Sequence, residues 1–194
     1  MTRIGRGKFI LGPGKVFIPE ISNTLKTINS KLKKEYPFLE TCIWNTSVFN
    51  EFMVHQPVRF YILVEVEKDA VQSVFFFLKE LKYSVFIKPN KDLIEKYLPD
   101  EKESLIVKQL ITEAPLQKKG DLYTVTLEKM LVDVFCDKIV FAAQQGSEMR
   151  NIFNEAINKY AINENRMLRY ANRRNKKETF KKYYDSVRNE FKTK

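Results

Sequence analysis

Residues Arg59-Phe-Tyr-Ile-Leu-Val-Glu-Val-Glu67 form the strongest predicted strand of the chain. The first half of this segment is almost continuously apolar, and such a run is typical of a central strand that is covered on both faces. We therefore place this segment at the centre of a sheet.

Weaker strands and helices alternate on both sides of the central strand. Pro19 suits the first turn of the first helix. In chain order the predicted elements are a hairpin at 3–11, a helix with apolar positions Ile21, Leu25, Ile28 and Leu32, a strand at 41–47, a short helix at 48–54, a helix at 69–82, a strand at 85–87, a short helix at 91–98, a strand at 105–112 and a Gly120-containing loop or hairpin that ends at 125–126.

From residue 127 onward the apolar residues recur three and four positions apart, which is the spacing of amphipathic helices. Ser147 and Asn163 are predicted helix N-caps, and a last helix is predicted at 176–192. The fold class that this order predicts is α/β (α+β), with a mixed β-sheet flanked by helices and a helical C-terminal bundle at about 127–194.

Composition indicates an ordinary globular protein. Of 194 residues, 44% are hydrophobic and 30% are charged. Cys42 and Cys136 are far apart and belong to no CxxC pattern, so reduced thiols in the cytoplasm are the simpler interpretation. No apolar run suits a signal peptide or a membrane span, and no membrane association is predicted.

The net charge of +10 is concentrated at the two ends of the chain. Residues 1–35 carry a net charge of +6 and residues 161–194 carry +7, whereas residues 36–160 carry −3. A basic excess at both ends favours contact with a polyanion, although plain solubility would also explain it.

The residues needed for most catalytic and metal sites are scarce. His55 is the only histidine, and a surface or capping role suits it better than catalysis. One histidine and two cysteines are too few for a usual structural zinc site, and no phosphate-binding loop or dinucleotide fingerprint occurs. We therefore predict no enzyme activity, no catalytic residue, no metal and no cofactor.

Glu65 and Glu67 support one alternative, a divergent nucleotidyltransferase-like, metal-dependent enzyme. Residues two apart on a strand point to the same face, and paired carboxylates can hold a divalent metal. The turn that precedes such a pair in nucleotidyltransferases contains a glycine and a serine, whereas this chain has Asn45-Thr46-Ser47. A solvated strand end is therefore the favoured interpretation.

A basic run near the C-terminus is the best nucleic-acid signal. At helical spacing the interleaved Leu168, Tyr170, Phe180, Tyr183 and Tyr184 would pack inward while the cations face outward. Such a surface binds phosphates without reading sequence, although a solvated helix face is equally compatible with the pattern. The cations are Arg166, Arg169, Arg173, Arg174, Lys176, Lys177, Lys181 and Lys182.

Thr124-Val-Thr-Leu-Glu-Lys-Met-Leu-Val-Asp133 resembles the "T-x-E-K-x-L-V-D" helix start of the AbiEi family of antitoxins (type IV toxin–antitoxin systems), close to its Bacteroidetes branch. The likeness extends from about Arg3 to Tyr184. Further matches, in the same order as in the family, are Cys42-Ile-Trp-Asn-Thr-Ser-Val-Phe-Asn-Glu-Phe-Met-Val-His-Gln56, Gln145-Gly-Ser-Glu-Met149 and Arg166-Met-Leu-Arg-Tyr-Ala171.

The resemblance implies a winged helix-turn-helix that binds promoter DNA, followed by a domain that opposes a nucleotidyltransferase toxin encoded nearby. Residues 1–14 would be the remnant wing hairpin, and residues 15–194 the antitoxin-like α/β domain. If the likeness holds, we expect this sequence to lack the recognition helix that precedes the wing in that family, and sequence-specific reading of the major groove is then not expected.

We therefore expect a non-enzymatic, antitoxin-like regulatory protein of a bacterial toxin–antitoxin pair, associated with DNA through its basic ends. A domain that binds only protein remains a further alternative. The residues predicted to contact DNA are Arg3, Arg6 and Lys8 together with the eight C-terminal cations named above.

Overall fold

The computed structural model describes the backbone of residues 2–5, 8–10, 14–90 and 103–192, and the side chains of residues 14–90 and 103–190. The chain opens with the antiparallel strands β1 (Thr2–Gly5) and β2 (Lys8–Ile10), which confirms the predicted hairpin. The helix predicted at 91–98 lies outside the described residues.

Four strands form the central sheet. They are β3 (Thr41–Asn45), β4 (Tyr61–Val66), β5 (Val85–Ile87) and β6 (Ser104–Gln109), in the order β3-β4-β6-β5. β3 runs antiparallel to β4, whereas β4, β6 and β5 are parallel. β4 pairs on both edges and is buried from Ile62 to Val66, which confirms the predicted mixed sheet and its central strand.

Two helices, α1 (Asn23–Glu35) and α2 (Val71–Glu80), cover one face of the sheet. The prediction that Pro19 lies in the first turn of α1 is wrong, because α1 begins at Asn23. The Oγ of Ser22 accepts a hydrogen bond from the backbone N–H of Leu25 (3.3 Å), and this cap fixes the helix start at Asn23. The buried contacts of this face come from Leu25, Ile28, Leu32, Ile62, Val64, Val66, Val74, Leu78, Leu105 and Val107.

Shorter elements border the opposite face of the sheet. A 3₁₀ helix at Thr46–Phe52 follows β3 and buries Phe49 and Phe52. The hairpin of β7 (Leu116–Lys119) and β8 (Leu122–Val125) turns at Gly120, whose φ of +59° suits glycine. The segment around Gly120, predicted as a loop or a hairpin, is thus a hairpin.

Four helices complete this second face: α3 (Leu127–Cys136), α4 (Ser147–Lys159), α5 (Glu164–Arg173) and α6 (Lys177–Lys192). Asn163 caps α5 as predicted, since its side chain accepts a hydrogen bond from the N–H of Arg166 (3.1 Å). The predicted cap at Ser147 is wrong, because Gly146 occupies that position and Ser147 is the first helical residue.

These elements form the predicted α+β fold with a helical C-terminal part. Trp44, Leu63 and Ile106 of the sheet pack against the helices of the second face. Within the described ranges, no helix combines the length and apolarity needed to cross a membrane.

Candidate nucleic-acid interface

Three arginines lie along one side of α5. Arg166, Arg169 and Arg173 are spaced i, i+3 and i+7, and residues at this spacing share a helix face. All three are exposed, whereas Met167 and Tyr170 on the inner side of α5 are buried. We call Arg166, Arg169 and Arg173 the arginine ridge, and it presents a row of guanidinium groups to solvent.

Neighbouring residues hold the ends of the arginine ridge. Arg166 donates a hydrogen bond from Nη2 to the carbonyl oxygen of Leu116 (3.0 Å), and Arg173 forms an ion pair with Glu113. The hydrogen bond from Arg173, together with the nearby charge of Arg169, holds the pKa of Glu113 below its usual value. A guanidinium group has five N–H donors, so these contacts leave donors for another anion.

The lysines of the predicted basic run lie C-terminal to the arginine ridge, on α6 and at the residue just before it. Phe180 and Tyr184 are buried and Tyr183 is half-buried, so the aromatic residues pack inward as predicted. Glu178 and Asp185 interrupt the positive charge along this helix, which makes α6 less uniformly basic than the arginine ridge. The exposed lysines are Lys176, Lys177, Lys181 and Lys182.

Arg174 does not belong to the outer basic surface on which the sequence placed it. Its Nη1 lies 2.8 Å from Oδ1 of Asp133, and its side chain is only 15% exposed. The guanidinium therefore turns inward, because the buried Asp133 carboxylate needs a compensating charge.

The N-terminal candidates fall largely outside the described side chains. Arg3 and Lys8 lie in β1 and β2, whereas Arg6 lies outside the described residues. The segment that follows the hairpin is held at the start of α5, because the carbonyl oxygen of Lys15 accepts a hydrogen bond from the N–H of Ala161 (2.9 Å). Lys15 thus lies at the same end of α5 as Arg166.

A buried network of charged residues lies on the inner side of α5, between α3, α5 and the strand β4. Lys129 of α3 has no exposed side-chain surface, and its Nζ lies 2.6 Å from Oε1 of Glu65 and 2.5 Å from Oδ2 of Asp133. Trp44 donates from Nε1 to the same Glu65 oxygen (2.7 Å), and Tyr170 donates from its hydroxyl to Asp133 (2.9 Å). We call Glu65, Lys129, Asp133 and Arg174 the buried network.

Mutual compensation favours the charged forms of Lys129 and Asp133 in the buried network. Burial alone would lower the pKa of Lys129, but the carboxylates of Asp133 and Glu65 outweigh it and hold that pKa well above its usual value. Burial would likewise raise the pKa of Asp133, but Lys129 and Arg174 outweigh it and the pKa lies below its usual value. Lys129 and Asp133 therefore act as a fixed ion pair rather than as a proton donor and acceptor near neutral pH.

Residues 1–190, which include the arginine ridge and the buried network, match the model of a family of unknown function, DUF6577. The chain belongs to the DUF6577 family. No curated protein and no solved structure matches the chain.

In this DUF6577 member the segment Thr126–Asp133 has a structural role that the sequence did not predict. The Oγ1 of Thr126 caps α3 by accepting from the N–H of Lys129 (3.3 Å). Glu128 accepts from the N–H of Asn163 (3.0 Å), which joins α3 to the start of α5. The signal available beforehand was a lysine and an aspartate four residues apart, with apolar residues between them and after them in the helix.

Glu65 and Glu67 do not form the metal-binding pair of the enzyme alternative. Glu65 is fully buried and bonded to Lys129 and Trp44, whereas Glu67 lies beyond the end of β4 and is exposed. Where the structure is described, no group of three or more His, Cys, Asp or Glu side chains is arranged to hold a metal ion. The geometry therefore gives no support to metal-dependent chemistry at these two residues.

Proposed function

We propose that this DUF6577 member is a non-enzymatic regulatory protein that binds DNA phosphates through the arginine ridge and acts as the antitoxin-like partner in a bacterial toxin–antitoxin pair. The observation that carries the DNA-binding part is the row of three exposed arginines on one side of α5. Arginine forms bidentate, charge-assisted hydrogen bonds with phosphate, and such contacts supply affinity without sequence preference.

The anchoring of Lys15 beside α5 supports a shared surface with the N-terminal hairpin. Its backbone bond to Ala161 holds Lys15, five residues after the end of β2, near the start of α5. The hairpin contributes the cations Arg3 and Lys8, and Arg6 follows β1 in the sequence. Duplex DNA bound along the arginine ridge would therefore pass near the N-terminal cations, which is why both basic ends of the chain belong to one proposed interface.

The antitoxin part of the proposal rests on the sequence resemblance at Thr124–Asp133. A nucleotidyltransferase-type toxin encoded nearby is the proposed partner, and the chain is expected to reduce its toxicity when the two are produced together. Growth of cells that express such a toxin, with and without this chain, tests that part. Unchanged toxicity in the presence of the folded chain would contradict it.

Fluorescence anisotropy with a labelled duplex at low salt tests the DNA-binding part. The triple variant Arg166→Gln, Arg169→Gln, Arg173→Gln should bind at least about tenfold more weakly, which corresponds to about 1.4 kcal/mol. The matched control is Lys68→Gln, Lys79→Gln, Lys82→Gln, which removes three exposed cations on and beside α2, across the sheet. Equal loss in both variants, or no binding by the parent chain, would overturn the proposal.

A further inference from the structure

A groove of about 360 Å³ opens at the carboxyl ends of β5 and β6, on the face covered by the C-terminal helices. In α/β proteins, ligands bind in crevices outside the carboxyl ends of parallel strands. The volume also falls within the range usual for small-molecule sites, about 300–1,000 Å³. Three cations, Lys88, Lys108 and Arg174, contribute to its lining.

Two of these cations are held in place by carboxylates. Lys108 lies 2.7 Å from Asp137 and its side chain is 14% exposed. Arg174 lies 2.8 Å from Asp133 and is 15% exposed. An ammonium group has three N–H donors and a guanidinium has five, so each cation keeps donors beyond those that its carboxylate uses. Their positions are therefore set before any ligand arrives, which lowers the entropic cost of binding.

Lys88 supplies the positive charge that the carboxylates do not balance. At the groove, Asp137 pairs with Lys108 and Asp133 pairs with Arg174. Lys88 is exposed and makes no ion pair within the described part of the chain. Among the described lining residues, three cations therefore face one carboxylate, which favours an anion over a cation or a neutral molecule.

The backbone of Lys88 is strained. Its φ is +43°, a conformation that L-residues rarely adopt and that the following Pro89 disfavours further. Strain of this kind is concentrated at ligand-binding sites, where surrounding structure holds it. The strained turn places a lysine at the end of β5, next to the other two cations.

Apolar side chains form the rest of the groove. Ile106, Ile111 and Ile139 line it, and Ile139 is 46% exposed. A site with convergent cations and an apolar wall suits a ligand that has an acidic group attached to an apolar or aromatic body.

We infer that this groove binds a small organic anion, whose phosphate or carboxylate is held by Lys88, Lys108 and Arg174 and whose apolar part rests on Ile111 and Ile139. The site is separate from the arginine ridge, because Arg174 faces inward toward Asp133. The inference therefore does not rest on the proposed binding of DNA.

Isothermal titration calorimetry of the full chain tests the inference with three probes: adenosine monophosphate for a phosphate, benzoate for a carboxylate, and a ten-nucleotide thymidine oligomer for a polymer. Saturable binding of the monophosphate or of benzoate at one site per chain, with Kd below about 1 mM, is expected. The better of the two probes identifies the acidic group.

Lys88→Gln is the informative variant, because Lys88 is exposed and supports no buried partner. It should weaken binding of the small anion at least about tenfold, whereas the control Lys34→Gln, an exposed lysine on α1 across the sheet, should leave binding unchanged. No saturable binding of either small anion, equal binding by both variants, or binding of the oligomer alone would overturn the inference.

Discussion

A lysine without exposed surface is stable in a protein only when carboxylates or hydrogen-bond acceptors replace its water. Lys129 meets this condition, since it contacts Glu65 and Asp133 and lies 5.6 Å from the centre of the Trp44 ring. Removing the lysine would leave two carboxylates buried beside each other. The resulting cost comes from the unpaired charges more than from the lost bonds.

We expect Lys129→Met to lower the free energy of unfolding by about 3–5 kcal/mol, the usual cost of breaking a buried pair. Urea denaturation followed by circular dichroism measures it. The control Lys159→Met removes an exposed pair with Glu155 and a hydrogen bond to the carbonyl oxygen of Glu51 (3.0 Å), and should cost at most about 1.5 kcal/mol. Similar stability of Lys129→Met and the parent chain would show that the buried network does not hold the fold.

Glu148 holds the loop after the 3₁₀ helix Thr46–Phe52. Its carboxylate accepts hydrogen bonds from the backbone N–H groups of Val54 (3.0 Å) and His55 (3.2 Å), and it lies 2.7 Å from Nδ1 of His55. Burial alone would raise the pKa of Glu148, but the bonds from His55 and Val54 outweigh it and the pKa lies below its usual value. Its stabilising effect is therefore present above the ordinary glutamate pKa, about 4.3, and lost as pH falls through the lower, folded-state pKa.

Glu148→Gln should consequently lower the free energy of unfolding near neutral pH by about 1–3 kcal/mol, because the amide cannot replace a carboxylate that accepts several bonds. The difference between the parent and the variant should shrink as pH falls from about 5 to about 3. Urea unfolding across that pH range measures both effects. A difference that stays constant would mean that the charge of Glu148 contributes nothing.

At the level of single residues, only part of the site can be predicted from sequence. The spacing of Lys129 and Asp133 places them on one helix face, which the sequence shows. Their partner Glu65 lies 64 residues before Lys129, and that contact depends on the packing of α3 on β4. The prediction that Arg174 lies on the outer surface was wrong for a similar reason. Local periodicity does not reveal that a buried carboxylate on another helix, Asp133, pairs with Arg174.

At the level of elements, α3 provides a direct test of helix capping. Thr126→Ala should cost about 1 kcal/mol, because the Oγ1 of Thr126 accepts from the N–H of Lys129 and also donates to the carbonyl oxygen of Pro115 (2.9 Å). Ser147→Ala should change stability by less than about 0.5 kcal/mol, since Ser147 is not the cap of α4. Thermal unfolding compares the two variants, and an equal effect would contradict the assignment of caps.

Elements with strong periodicity were predictable, whereas their boundaries depended on single hydrogen bonds. The apolar run at β4 and the three-and-four spacing of α3 to α6 each identify one structure, because the buried face has the same period as the element. Pro19 was misleading because its fixed φ also suits extended backbone. The true start of α1 depends on the side chain of Ser22.

At the level of the whole molecule, the two faces of the sheet have different compositions. α1 and α2 cover one face with an almost wholly apolar contact, whereas the helices on the other face enclose the buried network. The network joins β4, α3 and the end of α5, so it fixes α5 relative to the sheet. The network thereby sets the position of the helix that carries the arginine ridge.

The salt dependence of DNA binding tests the central claim, that the arginine ridge binds phosphate, most directly. Each phosphate contact contributes about −0.9 to the slope of log K against log salt concentration. The parent chain should therefore lose affinity steeply between about 50 and about 200 mM salt, by about three orders of magnitude if six contacts form. The triple glutamine variant of Arg166, Arg169 and Arg173 should have a slope that is smaller by about 2.7, whereas the Lys68, Lys79 and Lys82 variant should keep the parent slope. Identical slopes for the parent and the ridge variant would contradict the claim.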